Sequence, residues 1–136
     1  MNELFTAADV IHRYTREAAI ADGVLIDAGT KATEARFTIP VALTSAAWAE
    51  SVTWDEQNHG MQDEDGRLWD VLYMASIAVR RSRGRHAEPS DRLPFNLYRV
   101  PNDPDALEST ELELVVHCGP GDNGEPVITI MLPHED

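Results

Sequence analysis

The sequence predicts an α+β fold in which an antiparallel sheet packs against one central buried helix and smaller N-terminal helices. Residues 66–83 carry apolar side chains at helical spacing, whereas the last third of the chain alternates apolar and polar residues as strands do. The predicted order is helix, strand, strand, helix, helix and then a meander, which is typical of α+β proteins. The 136 residues fit a single domain, 1–136, that can bury its own core.

The N-terminal part predicts short elements. Residues 6–21 read as one or two short helices, with Asp9 as a cap of the second and Gly23 as the stop. Residues 24–27 then form a short strand, and 28–34 a loop.

Residues 35–44 predict a second strand, because Phe37, Ile39 and Val41 share one face. Pro40 cannot donate a backbone hydrogen bond, so this strand is expected at an edge or at a bulge.

A helix should follow at 45–54, capped by Thr44, with Trp48 and Val52 one turn apart. A polar loop, 55–65, comes next. Of the three tryptophans, Trp54 is the one expected to be partly exposed, since it borders this loop.

The central helix carries two adjacent apolar faces. One face holds Leu68, Val71, Leu72, Ala75 and Val79, and the other holds Trp69, Tyr73 and Ile77. A helix that is apolar around so much of its circumference is predicted to be buried.

The charged ends of this helix match its dipole. Acids at 63–65 precede it and Arg80 and Arg81 close it, as the partial charges at helix ends favour. Asp65 is the predicted N-cap and Gly84 the stop. An exposed linker, 82–91, then leads to the sheet.

The C-terminal third predicts three strands, at 92–100, 111–118 and 126–132. The second alternates cleanly, which places Cys118 on the apolar face as a small core residue. The glycine-rich segment 119–125 predicts a hairpin turn.

The composition indicates an acidic protein. Lys and Arg number 11 against 24 Asp and Glu, for a formal charge of −13. Such a field repels phosphates and anionic membranes, so we expect no direct nucleic-acid binding, no membrane binding and a protein partner with a basic surface.

A lone cysteine, the lack of a signal-like start and the lack of an apolar stretch of about 20 residues favour a cytoplasmic protein.

Known catalytic and metal motifs are not matched, so no catalytic residue, cofactor or metal is predicted. The stretch from Asp63 lacks the ligand pattern of a calcium loop, and the five histidines lack the close spacing of zinc ligands. His117 and Cys118 point to opposite faces of a strand, which argues against a dyad.

The predicted partner-binding residues are therefore charged. They are Asp55, Glu56, Asp63, Glu64 and Asp65, with Arg83 and Arg85 from the basic run. The window 67–92 holds six of the eleven basic residues, and it could bind an anion, a partner's acidic face or this protein's own carboxylates.

The main hypothesis is a non-catalytic acidic interaction protein, and two alternatives stay open. One is a small enzyme or an anion- or ligand-binding protein that uses the run Arg80–His86 or the His59 loop. The other is a structural homo-oligomer.

Five blocks carry a resemblance to a known family. They are ADGVLIDAG, FTIPVALTSAAWAESV, GRLWDVLYMASIAVRR, RLPFNLYRVP and GPGDNGEPVITIMLPHED. In these blocks the chain resembles a family of short bacterial proteins of unknown function found on plasmids, phages and other mobile elements. The resemblance brings no catalytic residues. It implies a context in which small proteins act on host machinery, which fits an anti-defence inhibitor (anti-CRISPR or anti-restriction).

Overall fold

The computed structural model describes residues 14–58, 62–83 and 92–135, without the side chain of Arg83. The described helices are α1 (Arg16–Ala21), α2 (Thr30–Glu34), α3 (Ser45–Ser51) and α4 (Glu64–Arg83). The described strands are β1 (Leu25–Asp27), β2 (Val41–Thr44), β3 (Arg92–Arg99), β4 (Thr110–Pro120) and β5 (Pro126–Met131).

The strands form one five-stranded sheet in the order β1-β2-β5-β4-β3. Neighbouring strands run antiparallel except β2 and β5, which are parallel. The predicted α+β class is confirmed, and the sheet is mixed because the N-terminal strands join the C-terminal meander.

The main core lies between one face of the sheet and α4. Leu68, Val71, Leu72 and Ala75 of α4 are buried against sheet residues such as Leu114. The core also takes side chains from α2 and α3, which places these helices on the same face as α4. None of the described helices combines the length and apolarity that crossing a bilayer requires.

The region before β2 differs from the prediction. The strand is only Val41–Thr44, and it lies inside the sheet between β1 and β5. Pro40 precedes the strand, where its missing N–H costs nothing, and its carbonyl accepts from the N–H of Ile128. The predicted edge position was therefore wrong.

The predicted loop at 28–34 was also wrong, because α2 lies within it. A five-residue helix shows too little periodicity to be recognised in the sequence, and its stability comes from tertiary packing. Ala32 supplies that packing, since it is buried in the core.

Helix α3 begins as predicted. The side-chain oxygen of Thr44 accepts a hydrogen bond from the N–H of Ala47 at 3.0 Å and so caps the helix. The predicted cap Asp9 lies outside the described residues.

Helix α1 is tied to the sheet through Arg16. Its guanidinium donates to the side-chain oxygen of Thr129 and the carbonyl of Ile128, both at 2.7 Å. The carboxylate of Asp122, in the β4–β5 turn, accepts from the backbone N–H groups of Arg16 and Glu17. These two bonds lower the pKa of Asp122, because they stabilise its charged form.

The second apolar face of α4 is not buried as predicted. Trp69 is 37% exposed and Tyr73 46% exposed, and Ile77 is only partly buried. A helix that packs on one face of a sheet turns its opposite side outward unless another layer covers it. The amphipathic pattern shows how much of the helix is apolar but does not show which part is covered.

Cys118 is exposed, so its predicted core position was wrong. It pairs with Ile128 across the ladder and lies near the end of β4, beyond Val116, the last buried residue of that face. Alternation gave the face correctly but gave no information on how far the core extends along the strand.

Candidate functional site at the acidic end

Helix α4 starts at a carboxylate cap. A side-chain oxygen of Asp63 accepts from the N–H of Gly66 at 2.6 Å, and the Asp63 carbonyl accepts from the N–H of Arg67. Asp63 is therefore the N-cap, and the prediction of Asp65 was wrong because the helix begins before it. Glu64 and Asp65 lie in the first turn, where the helix dipole favours negative charge.

Arg67 holds the chain together at this end. It is only 2% exposed. Its Nε donates to the carbonyl of Val52 at 3.0 Å, and its Nη1 donates to the carbonyl of Val100 and to Oε1 of Gln62. One guanidinium thus joins the segment after α3, the start of α4 and the end of β3.

The same guanidinium covers Trp54. The central guanidinium carbon, Cζ of Arg67, lies 4.8 Å from the centroid of the indole ring. Trp54 is buried, contrary to the expectation that it would be the most exposed tryptophan. The backbone N–H of Trp54 donates to Oε2 of Glu64, which fixes the polar loop against the helix.

Arg99 is the second buried cation. It donates from Nη2 to the carbonyl of Arg67 at 3.2 Å and lies 3.6 Å from the carboxylate of Asp70, which is largely exposed. Two buried side-chain nitrogens, Nη2 of Arg67 and Nε of Arg99, have no hydrogen-bond partner among the described residues.

The environment of this pair disfavours its charge. Burial, and secondly the charge of Arg99, lower the pKa of Arg67 to about 10. Burial also lowers the pKa of Arg99, although Asp70 opposes that change.

Asn102 joins the two surface loops of this end. Its Oδ1 accepts from the backbone N–H of Asp55 at 2.9 Å and from Nδ2 of Asn58 at 2.6 Å. The loop after α3 and the β3–β4 connection therefore lie side by side.

These contacts define an acidic end made of residues 52–58, 62–70 and 98–111. It carries ten exposed acids against two arginines, Arg67 and Arg99, which are both buried. The ten acids are Asp55, Glu56, Asp63, Glu64, Asp65, Asp70, Asp103, Asp105, Glu108 and Glu111. More than half of the net charge of −13 thus comes from 30 residues at one end.

The five acids named from the sequence, at 55, 56 and 63–65, all lie at the acidic end. The other five were missed. Asp70 lies further along α4, and the remaining four come from residues 103–111, some 40 residues away in the sequence. Their only sequence signal is that the polar connection 101–109 and the start of β4 are themselves acidic.

Among the described residues, Arg67 lies apart from the other basic residues of the window 67–92. Arg67 is buried at the start of α4, and 13 residues of helix place Arg80 roughly 20 Å further along the axis. His59, Arg85 and His86 lie outside the described residues, as does the side chain of Arg83.

Exposed apolar side chains border the acids. Tyr98 is 70% exposed and Leu107 77% exposed, and the Trp69 ring stacks on Tyr73 with 6.0 Å between centroids. Trp69 and Tyr98 line one cleft between α4 and β3. Alternation along β3 points Tyr98 away from the core, which is the one signal that the sequence offered.

Groups of three or more potential metal ligands do not come together within 14–58, 62–83 and 92–135.

Comparison with known families identifies the chain. It belongs to a family of unknown function (DUF6573), whose model matches residues 1–136. This confirms the resemblance to a family of unknown function that the five sequence blocks indicated. Comparisons with curated proteins and with solved structures give no match.

Proposed function

We propose that this family member is a non-catalytic interaction protein that docks its acidic end into a basic groove of a partner protein. The observation that carries the proposal is the concentration of ten exposed acids on three segments that Arg67 and Asn102 bring together. A field concentrated in this way steers a partner of opposite charge and fixes its orientation.

The exposed apolar residues at the acidic end also support docking onto a protein, because charge alone would not require them. Protein interfaces are rich in aromatic anchors surrounded by polar residues, and Tyr98, Trp69 and Leu107 stand among the acids in that arrangement. A partner that covers Tyr98 and Leu107 removes exposed apolar surface while its cations meet the carboxylates.

The hydrogen bonds that tie the described loops of the acidic end also favour binding. Loops tied by Arg67 and Asn102 lose less conformational freedom on association than free loops do. The two buried arginines hold these loops and offset only two of the ten acidic charges.

We further propose that the partner groove is one that handles nucleic acid, in a defence complex encoded by the host. A groove that binds phosphates carries the positive charge that an acidic end complements. In this reading the protein acts as an anti-CRISPR or anti-restriction inhibitor by occupying the groove in place of DNA or RNA.

The alternative of a small ligand-binding protein has one observation in its favour. Arg36, Thr38, Ser76 and Arg80 line a cavity of about 150 Å³ beside α4. The Ser76 hydroxyl already donates to the carbonyl of Tyr73, so the two guanidiniums and the Thr38 hydroxyl are the donors for a small anion such as phosphate. Titration with inorganic phosphate tests this alternative.

A pair of charge-matched variants tests the main proposal. Asp105→Lys/Glu108→Lys changes the acidic end, whereas Glu17→Lys/Glu34→Lys makes the same charge change on α1 and α2. We expect the wild type and the second variant to capture the same protein from the native host, and the first variant to lose it. Capture that responds equally to both variants would contradict a specific role of the acidic end.

The captured partner then gives two further measurements. Its affinity should fall steeply with added salt, because the contact is electrostatic. DNA or RNA should compete with the protein for the partner. A lack of competition would contradict the anti-defence proposal, whereas the proposal that the acidic end docks into a partner would stand.

A further inference from the structure

We propose that the groove between α4 and the outer edge of β3 binds an extended peptide of a partner protein, which adds to the sheet as a further strand. The peptide places an apolar side chain against α4 and an acidic side chain near Arg81. This site is separate from the electrostatic contact of the proposed function, and it uses backbone hydrogen bonds.

The position of the groove follows from its lining. It contacts Leu93, Pro94, Phe95 and Asn96, four consecutive residues of β3. Successive strand residues point to opposite faces of a sheet, so a cavity that contacts all four lies along the edge of the strand. β3 is the last strand in the order, and within the described residues it pairs only with β4.

Pro94 indicates which backbone groups face this edge. Proline lacks an N–H and is found where no ladder bond is needed. The backbone of Pro94 therefore directs its hydrogen-bonding side away from β4. Alternate residues of a strand direct their backbone groups to the same side, which turns the N–H and C=O of Asn96 and Tyr98 outward. These groups are what an added strand requires.

Helix α4 supplies the opposite wall. Met74, Ile77 and Ala78 line the groove with apolar atoms, and none of them is fully buried. They form a pocket for the alternate side chains of a peptide on β3, in the way that strand addition gains specificity.

The charges along the groove define the occupant. Arg81 is the one charged residue that lines it, at the end where α4 closes. At the other end of β3, the neighbouring cleft is lined by Asp63 and Asp70 but also by Arg67 and Arg99, so its formal charges balance. The complementary peptide therefore carries an acid at the end near Arg81 and an apolar residue at its centre.

The test begins with a displayed library of random decapeptides selected on the full chain. We expect enriched peptides in which an acid and an apolar residue recur at a fixed spacing. Arg81→Glu should weaken the synthetic peptide at least tenfold, whereas Arg80→Glu, the same change on a neighbouring residue that does not line the groove, should leave the affinity within twofold.

Backbone pairing has its own readout. On peptide binding, amide hydrogen exchange at Asn96 and Tyr98 should slow, and Asn96→Pro should weaken binding because it removes one of the two donors. Failure to enrich any peptide, equal effects of the two arginine variants, or unchanged exchange at both amides would each overturn the proposal.

The result is independent of the acidic end. Asp105→Lys/Glu108→Lys should retain the peptide even if it loses the protein partner. Failure of one proposal is therefore distinguishable from failure of the other.

Discussion

The guanidinium of Arg67 lies over the indole ring of Trp54, with 4.8 Å between the guanidinium carbon and the ring centroid. Neither residue shows its role in the sequence, where Arg67 reads as part of a basic run and Trp54 as the border of a polar loop. In the fold they form the buried centre around which the loops of the acidic end are arranged.

Replacing this arginine should destabilise the fold. In Arg67→Met the carbonyl of Val52 loses its donor in a buried place and the carbonyl of Val100 loses its donor in a partly buried one. The relief of repulsion with Arg99 recovers part of this loss. We expect a decrease of about 2–4 kcal/mol in the free energy of unfolding, measured by urea denaturation. The exposed Arg81→Met should stay within about 0.5 kcal/mol of the wild type. A loss under about 1 kcal/mol for Arg67→Met would show that the guanidinium is not the centre of this end.

Truncation of the two tryptophans at this end should destabilise the protein by very different amounts. Trp54 is 7% exposed and Trp69 37% exposed. Trp54→Ala should therefore cost about 3–5 kcal/mol, and Trp69→Ala, on the outer face of α4, under about 1 kcal/mol. Urea denaturation of both variants measures the difference. Similar losses for the two would mean that the outer face of α4 is covered in solution.

The bond between the β4–β5 turn and α1 should depend on pH. The pKa of Asp122 lies below its ordinary value of 3.8, because two backbone N–H groups bind its charged form. A lowered pKa adds stability above the ordinary value, and this contribution disappears as the pH falls through the pKa of the folded state.

Asp122→Asn tests this coupling. The wild type should be more stable than the variant at pH 7, and the difference should narrow as the pH falls below 3.8. Urea midpoints at a series of pH values measure it. Glu108→Gln, at an exposed residue that makes no hydrogen bond with the described part of the chain, is the matched control. If the difference in stability between the wild type and Asp122→Asn stayed constant from pH 7 to below pH 3.8, the Asp122 carboxylate would not stabilise the fold through these two bonds.

The exposed thiol offers a direct check of the sheet boundary. Because Cys118 is exposed, dithionitrobenzoate should label the native protein within about tenfold of its rate with the urea-unfolded chain. Protection far beyond that range would place Cys118 in the core, as alternation along β4 suggested.

The elements that local patterns describe were largely predictable. The three C-terminal strands, the cap of α3 by Thr44 and the extent of α4 agree with the prediction to within about two residues, and the α+β class is confirmed. Each of these features repeats at a fixed spacing or lies within a few residues of its cause. The failures at α2 and β2 concern short segments, where neighbours in space decide the structure.

The sequence by itself determined the excess of negative charge, the amphipathic helix at 66–83 and the alternation of the C-terminal strands, because composition and periodicity are properties of the chain. The tertiary structure alone decided that Arg67 is buried, that Trp69 and Tyr98 face outward, and that acids some 40 residues apart meet at one end. The reason is physical: periodicity fixes which side chains share a face, whereas burial depends on which other segment covers that face.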